Sequence, residues 1–77
     1  MKRIAICRAT GLFGWVAECQ YEDGRNLLDL DIQAMDLPQC YELAKQEYPD
    51  VDIYIDASNF WKNSYREWID KNRIAEQ

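Results

Sequence analysis

Hydrophobic and polar residues alternate in three short stretches in the first half of the chain. The stretches are residues 3–9, 15–21 and 27–33, and each places its large apolar side chains at every second position. A period of two residues is typical of half-buried β-strands. Asp23 and the glycine after it separate the second stretch from the third, which favours a tight hairpin turn. The pattern predicts three consecutive strands.

The second half of the chain combines helical and strand periods. Asp36 has the side chain and position of a helix N-cap, and the apolar stripe that follows predicts a helix to about Tyr48. Residues 51–56 alternate again and predict a fourth strand. A last helix is expected to begin near residue 58 and to continue to about Ile74.

The resulting order, βββαβα, predicts one small α+β domain over residues 1–77. The simplest layout is an antiparallel three-stranded meander, joined after a helical crossover by the fourth strand, with both helices packed on the sheet. Three Trp, five Tyr and two Phe provide large buried areas for a chain of this size. The expected core includes the following apolar residues: Ile4, Ile6, Leu28, Leu30, Ile32, Leu37, Cys40, Leu43, Ala44, Tyr48, Val51, Ile53 and Ile55.

Negative charge is concentrated in the middle of the chain. Residues 18–56 carry eleven carboxylates against Arg25 and Lys45, while the segments on either side are net positive. The whole chain has a net charge of −5 and a pI near 4.5. Such a field repels phosphate, so direct binding of nucleic acid is disfavoured, and a protein partner with a basic surface is expected.

The residue types present exclude most catalytic chemistry. The chain has no histidine, which removes the usual general base and most zinc sites. Its three cysteines, Cys7, Cys19 and Cys40, have no metal-binding spacing and are expected to be reduced and structural, as in the cytoplasm. There is no glycine-rich phosphate loop and no apolar run long enough for a bilayer. We therefore expect no enzyme, no cofactor, no metal and no membrane segment.

Carboxylates at outward strand positions form the first candidate binding site. Asp29 and Asp31 share one face of the third predicted strand, and Asp52 and Asp56 share one face of the fourth. Paired carboxylates can bind a divalent cation weakly, but alternation alone also demands polar residues on a solvated face. The expected partner-binding acidic surface consists of Glu22, Asp23, Asp29, Asp31, Asp52 and Asp56.

The last predicted helix provides an alternative site. It carries an aromatic stripe beside a basic line, and both features are typical of binding surfaces. The stripe is also what a core-facing helix would show, and the basic line also suits a solvated face. The residues of this alternative, either for a protein partner or for nucleic acid, are Trp61, Lys62, Tyr65, Arg66 and Trp68.

The order of elements also resembles the front half of an RNase H-like domain, in which three antiparallel strands are followed by a helix, a parallel strand and another helix. Asp56, in Ile-Asp-Ala-Ser, lies where that fold keeps a metal-binding aspartate, and Glu42 lies on the helix that carries its glutamate. The first strand has Ile-Cys-Arg at residues 6–8 where another aspartate belongs. The resemblance implies a truncated, non-catalytic relative, similar to the HicB-type antitoxins, which inhibit a protein partner.

Size, acidity and the lack of catalytic groups together predict an inhibitor or modulator of a larger protein. The chain is similar in these respects to small acidic phage inhibitors such as anti-CRISPR proteins and anti-restriction DNA mimics. A nucleic-acid-handling complex is the expected target. The alternatives are a HicB-like antitoxin or regulatory module, and a nucleic-acid-binding module that uses the last helix. A homodimer is left open.

Overall fold

The computed structural model describes residues 2–8, 17–23 and 26–77, and of residues 2, 17–23 and 26–27 it describes the backbone alone. The predicted turn over residues 10–14, Trp15 and the glycine of the Asp-Gly turn lie outside the described residues. The elements are β1 (Lys2–Arg8), β2 (Ala17–Asp23), β3 (Asn26–Ala34), α1 (Leu37–Glu47), β4 (Asp52–Ile55), α2 (Asn59–Ser64), α3 (Arg66–Asn72) and β5 (Ala75–Glu76).

The described strands form one mixed sheet in the order β3-β2-β1-β4-β5. β1 pairs antiparallel with β2, and β2 pairs antiparallel with β3. On its other side β1 pairs parallel with β4, and β4 pairs parallel with β5. Among the described strands, β1, β3, β4 and β5 therefore point in one direction, and β2 points in the other.

This topology corrects the predicted fold. The α+β class stands, but the predicted βββαβα order and the antiparallel meander with one added strand are wrong as a description of the sheet. β4 and β5 extend it as a parallel half, so the element order becomes βββαβααβ. The physical reason lies in the connections. A strand that follows a helical crossover pairs in parallel, and two such crossovers, through α1 and through α2–α3, end beside β1 and β4.

The core lies between the sheet and the helices. Ile4 pairs with Ile53 and Ile6 pairs with Ile55 across the parallel β1–β4 ladder, and Ile4, Ile6 and Ile55 are fully buried. The helices cover this face with further buried side chains, which are Leu37, Cys40, Ala44 and Ile69. Neither Cys7 nor Cys40 is part of a disulfide, and Cys40 lies inside the core.

The start of α1 follows the sequence prediction. The Asp36 carboxylate accepts a 2.8 Å hydrogen bond from the backbone N–H of Gln39, and Pro38 lies in the first turn. This bond satisfies one of the N–H groups that a helix start leaves without a partner. The prediction of a capped helix beginning after Asp36 is therefore confirmed.

The C-terminal region departs from the single predicted helix. The chain leaves helical geometry at Tyr65, so two short helices replace one. Arg73 then adopts the left-handed conformation (φ 53°), and the N–H of Ile74 donates to the carbonyl of Ile69 at 3.0 Å. Together with a 3.3 Å bond from the N–H of Arg73 to the carbonyl of Asp70, this bond forms a Schellman motif, which ends α3 before residue 74. The buried Ile74 thus belongs to the core beyond the helix, and β5 follows it.

Two predicted core positions are exposed instead. Leu28 on β3 is 58% exposed and Leu43 on α1 is 38% exposed. β3 is an edge strand. Its pairing with β2 is interrupted by a bulge, because Glu18 pairs with Gln33 and Gln20 pairs with Asp29, so that two residue steps on β2 lie opposite four on β3. Residues 29–34 of β3 still alternate between exposed and buried or half-buried positions, and Leu28 departs from that alternation.

Candidate functional site

The β3 bulge holds two of the six predicted acidic residues, Asp29 and Asp31. The Asp29 carboxylate accepts a 2.8 Å hydrogen bond from the backbone N–H of Asp31, and Asp31 has a positive φ of 56°. An aspartate tolerates this left-handed conformation better than most residues. Both side chains are exposed. The bulge therefore fixes the backbone that carries two carboxylates on an open edge of the sheet.

The other predicted acidic residues do not join this pair. Asp52 and Asp56 are exposed at opposite ends of β4, and β2 and β1 lie between β4 and β3. The side chains of Glu22 and Asp23 lie outside the described part, although in register Glu22 stands opposite Arg3. The six residues are thus distributed over the width of the sheet rather than gathered in one cluster.

Further exposed carboxylates lie on α1, which packs against β3 and is joined to it by two residues. We call the exposed residues of these two adjacent elements and their connection the β3–α1 surface. Its exposed carboxylates belong to Asp29, Asp31, Asp36, Glu42 and Glu47.

The β3–α1 surface also carries exposed apolar side chains. Among the described residues four large hydrophobic side chains are exposed, and three of them, Leu28, Met35 and Leu43, lie on this surface. Protein interfaces commonly combine apolar contacts with a charged rim. The sequence does not predict this exposure, because Leu28 and Leu43 have the spacing of core positions. The edge location of β3 leaves Leu28 open to solvent.

The ion pairs in which both side chains belong to the described part of the chain lie in its C-terminal region. Arg66 makes a bidentate contact with Glu76, at 2.8 and 2.9 Å, and a longer one of 3.4 Å with Asp70. Lys62 is buried, donates to the carbonyl of Gln77 at 3.1 Å and lies 3.9 Å from Glu76. The carboxylates of the β3–α1 surface take part in none of these pairs.

These contacts engage the basic residues of the alternative site internally. Lys62 and Arg66 both contact Glu76 and so link the helices to β5, although the side chain of Arg66 is 36% exposed. Trp61 is half-buried, and its ring lies 3.9 Å from the guanidinium carbon of Arg8. Trp68 is half-buried against Tyr41, with ring centres 5.5 Å apart. Trp61 and Trp68 therefore both pack against other side chains of the domain.

Tyr65 occupies the junction of the two short helices. Burial raises the pKa of its hydroxyl, a hydrogen bond with the backbone of Leu37 lowers it, and the negative charge of Asp36 raises it. Because Leu37 and Asp36 are the first residue and the N-cap of α1, Tyr65 lies beside the start of that helix. Its partial burial and this contact indicate that it connects α1 to the C-terminal helices.

The Arg66–Glu76 pair predicts a specific pH dependence of stability. Its hydrogen bonds raise the pKa of Arg66 and lower the pKa of Glu76 from the ordinary 4.5. A carboxyl group whose pKa is lower in the folded state than in the unfolded state stabilises the fold fully at any pH above its unfolded-state pKa. This stabilisation is lost as the pH falls through the folded-state pKa. We expect Glu76→Gln to melt at a lower temperature than the parent at pH 7, with the difference vanishing in acid.

Melting temperatures measured between pH 7 and pH 2 check this. Glu67→Gln serves as the matched control, because the exposed Glu67 belongs to none of the ion pairs described. Its difference from the parent should stay small and flat. Parallel curves for Glu76→Gln and the parent would contradict the assigned role of Glu76.

The described residues contain no group of three or more acidic, cysteine or histidine side chains placed to hold a metal ion. Glu42 and Asp56, the positions suggested by the RNase H-like resemblance, are both exposed. None of the described helices is long and apolar enough to cross a membrane. Comparison of the chain with protein-family models, curated proteins and solved structures found no match.

Proposed function

We propose that this chain is a non-enzymatic inhibitor or modulator that binds a basic surface of a larger protein through its β3–α1 surface. The observation that carries the proposal is the coincidence, on two adjacent elements, of carboxylates outside every described ion pair with exposed apolar side chains. Apolar contacts of this kind provide affinity, and the surrounding charges provide steering and specificity.

A nucleic-acid-handling complex is the proposed class of partner. Proteins that bind nucleic acid present basic grooves, because phosphate contacts dominate their affinity. A folded surface with carboxylates at fixed spacing, on a chain of net charge −5, can occupy such a groove in place of phosphates. This action is that of the small acidic phage inhibitors noted above, including anti-CRISPR proteins, and it would take place in the cytoplasm.

The test uses a panel of purified RNA-guided nuclease complexes and restriction enzymes, with DNA binding measured by gel shift. Asp29→Asn/Asp31→Asn is the informative variant, since asparagine keeps the oxygen acceptor and tolerates a positive φ. Glu67→Gln/Asp70→Asn is the control. Each double variant removes two negative charges, so both carry −3 in place of −5.

For a target that the parent inhibits, we expect the β3 variant to lose about tenfold or more in potency, because two charged contacts at about 1 kcal/mol each are removed. The control should keep its potency, and salt should weaken the parent more than the β3 variant. Equal losses in the two variants would show that total charge matters rather than this surface. Inhibition unaffected by either variant would overturn the electrostatic proposal.

The HicB-like antitoxin is the second candidate, and the parallel pairing of β4 with β1 after a helix favours it. The RNase H-like order has a parallel strand at that place. This candidate also makes the chain a protein inhibitor, but its target would be the toxin that such an antitoxin neutralises. Suppression of that toxin by the purified chain, without any effect on the panel above, would decide for it.

A further inference from the structure

The helix-covered face of the sheet carries an exposed leucine at its outer edge. Residues that stand opposite each other in neighbouring strands place their side chains on the same face of a sheet. Leu28 pairs with Tyr21, and Tyr21 pairs with Ile4, which lies in the core beneath the helices. Leu28 therefore lies on the helix-covered face, and it is 58% exposed because β3 is the outermost of the described strands on that side.

The opposite face of β3 is acidic. Asp29 directly follows Leu28, and successive side chains of a strand point to opposite faces. Asp31 comes two residues later and is exposed as well, while Leu30 between the two aspartates packs against the core. The outer edge of the sheet thus carries leucines on one face and carboxylates on the other.

Helix α1 adds a further apolar side chain on the helix-covered face. Tyr41 contacts Trp68 of α3, so its flank of α1 is turned toward α3, which leads into β5 at the far end of the sheet. Residues follow each other at about 100° around a helix axis, so Leu43 lies on the opposite flank. Because α1 packs on β2 and β3, this flank faces the β3 edge, and Leu43 is 38% exposed there.

The bulge divides the β3 edge into a regular part and an irregular part. From residue 26 to Asp29 every residue of β3 has a partner on β2, and the register is then interrupted up to Gln33. The N–H of Asp31 is bonded to the Asp29 carboxylate at 2.8 Å. An edge strand directs the N–H and C=O groups of alternate residues away from its sheet. Residues 26–29 therefore have the geometry to pair with one more strand, and the bulge ends that ladder.

We propose that the protein partner adds an extended segment to the β3 edge, and that basic residues alternate with apolar ones in this segment. An added strand projects successive side chains to opposite faces, so its cations meet Asp29 and Asp31 while its apolar residues pack on Leu28 and Leu43. A second copy of this chain is disfavoured, because two β3 strands would bring like charges together. The inference rests on the proposed function, since it names the form in which the basic partner binds.

The experiment titrates the full, isotopically labelled chain with synthetic peptides, followed by NMR at an ionic strength of about 0.15 M. The first probe is a short peptide in which lysine alternates with valine. Its control has the same residues sorted into one lysine block and one valine block, so only the alternation is lost. We expect the alternating peptide to bind about tenfold more tightly, to shift the amide signals of Leu28, Asp29 and Leu30, and to slow hydrogen exchange within residues 26–29.

Methylation of the peptide backbone separates strand addition from attraction between charges alone. Two further peptides keep the alternating sequence, and one is methylated at every lysine backbone nitrogen and the other at every valine backbone nitrogen. An added strand uses only one of these two sets of N–H groups, because alternate residues face the same edge. One of the two peptides should therefore lose about tenfold in affinity.

Variants of the chain locate the binding. Leu28→Ala should weaken binding of the alternating peptide about tenfold, since it removes an apolar contact. Phe60→Ala is the matched control, because Phe60 is also a large exposed apolar side chain but lies on α2. The β3 variant, which lacks the charges of Asp29 and Asp31, should also bind more weakly. All these positions are exposed, so the melting temperatures should stay close to that of the parent.

The proposal is overturned if the alternating peptide shifts none of these amides at millimolar concentration, or if the block peptide binds as tightly. Two methylated peptides that both bind like the unmethylated one would also overturn it, as would sedimentation that shows a dimer dependent on Leu28. Such results leave the proposed function standing if the β3 variant still loses potency in the inhibition panel. A β3 variant that inhibits like the parent, together with the expected peptide binding, would overturn the proposed function instead.

Discussion

Ile55→Ala is expected to destabilise the protein by about 2–5 kcal/mol, the range for removal of a large side chain from a packed core. Ile55 is fully buried on β4 and pairs with Ile6 across the parallel ladder. Its carbonyl also accepts the N–H of Gln77, so it lies between β1 and β5. A domain of this length has only about 4–12 kcal/mol of total stability. A substantial unfolded fraction should therefore appear at 37 °C.

Urea unfolding followed by tryptophan fluorescence measures this effect. Ile55→Val, which removes one methylene, should cost about 0.5–1.5 kcal/mol. Leu43→Ala is the control for loss of an apolar side chain at an exposed site, and it should cost less than Ile55→Ala. If Ile55→Ala and Leu43→Ala lowered the free energy of unfolding by the same small amount, β4 would not occupy the centre of the core.

Lys62→Met is expected to cost about 1.5 kcal/mol, the lower end for a hydrogen bond made by a charged group. Methionine keeps the apolar stem of the buried side chain and removes the ammonium group that reaches Gln77 and Glu76. The exposed Gln77 can bond to water instead, which limits the loss. The effect should be concentrated in β5, which has only two residues.

Hydrogen exchange at the Gln77 amide reports this directly, because that N–H donates to Ile55. We expect its protection to fall in Lys62→Met while the amides of α1 keep theirs. Lys71→Met, at an exposed position on α3, should change stability by less than about 0.5 kcal/mol. If the Gln77 amide were as well protected from exchange in Lys62→Met as in the parent, Lys62 would not be the residue that holds β5 in place.

Local signals made α1 and the strand positions predictable. Asp36 and Pro38 identify the helix start through chemistry that acts over three residues, and the cap is found where expected. Strands β1 and β4 were recognised because both alternate strictly. Contacts between neighbouring residues determine these features, so a single sequence is sufficient to reveal them.

The errors arise where distant pairing overrides the local pattern. The aromatic and apolar spacing from Trp61 to Ile74 is compatible with one helix, but Ile74 reaches the core only if the chain turns at Arg73. A left-handed arginine has no clear sequence signal, since glycine is the usual residue there. The strand that follows is too short to show any period.

The candidate site was predictable in charge but not in shape. Asp29 and Asp31 were expected to be exposed on one strand, and they are exposed. Their separation from Asp52 and Asp56 depends on the strand order, which the sequence does not state. The exposure of Leu28 depends on the place of β3 at the edge of the sheet, which also follows only from the strand order.

The central position of β1 has a consequence for how the chain folds. Residues 3–6 pair with residues 52–55, so one edge of β1 stays open until more than forty further residues have been made. Until then Ile4 and Ile6 lie on a sheet that lacks its parallel half. Pairing over such a distance slows folding, and an open apolar strand invites association with other chains. During synthesis the chain should therefore be most vulnerable to aggregation just before β4 emerges.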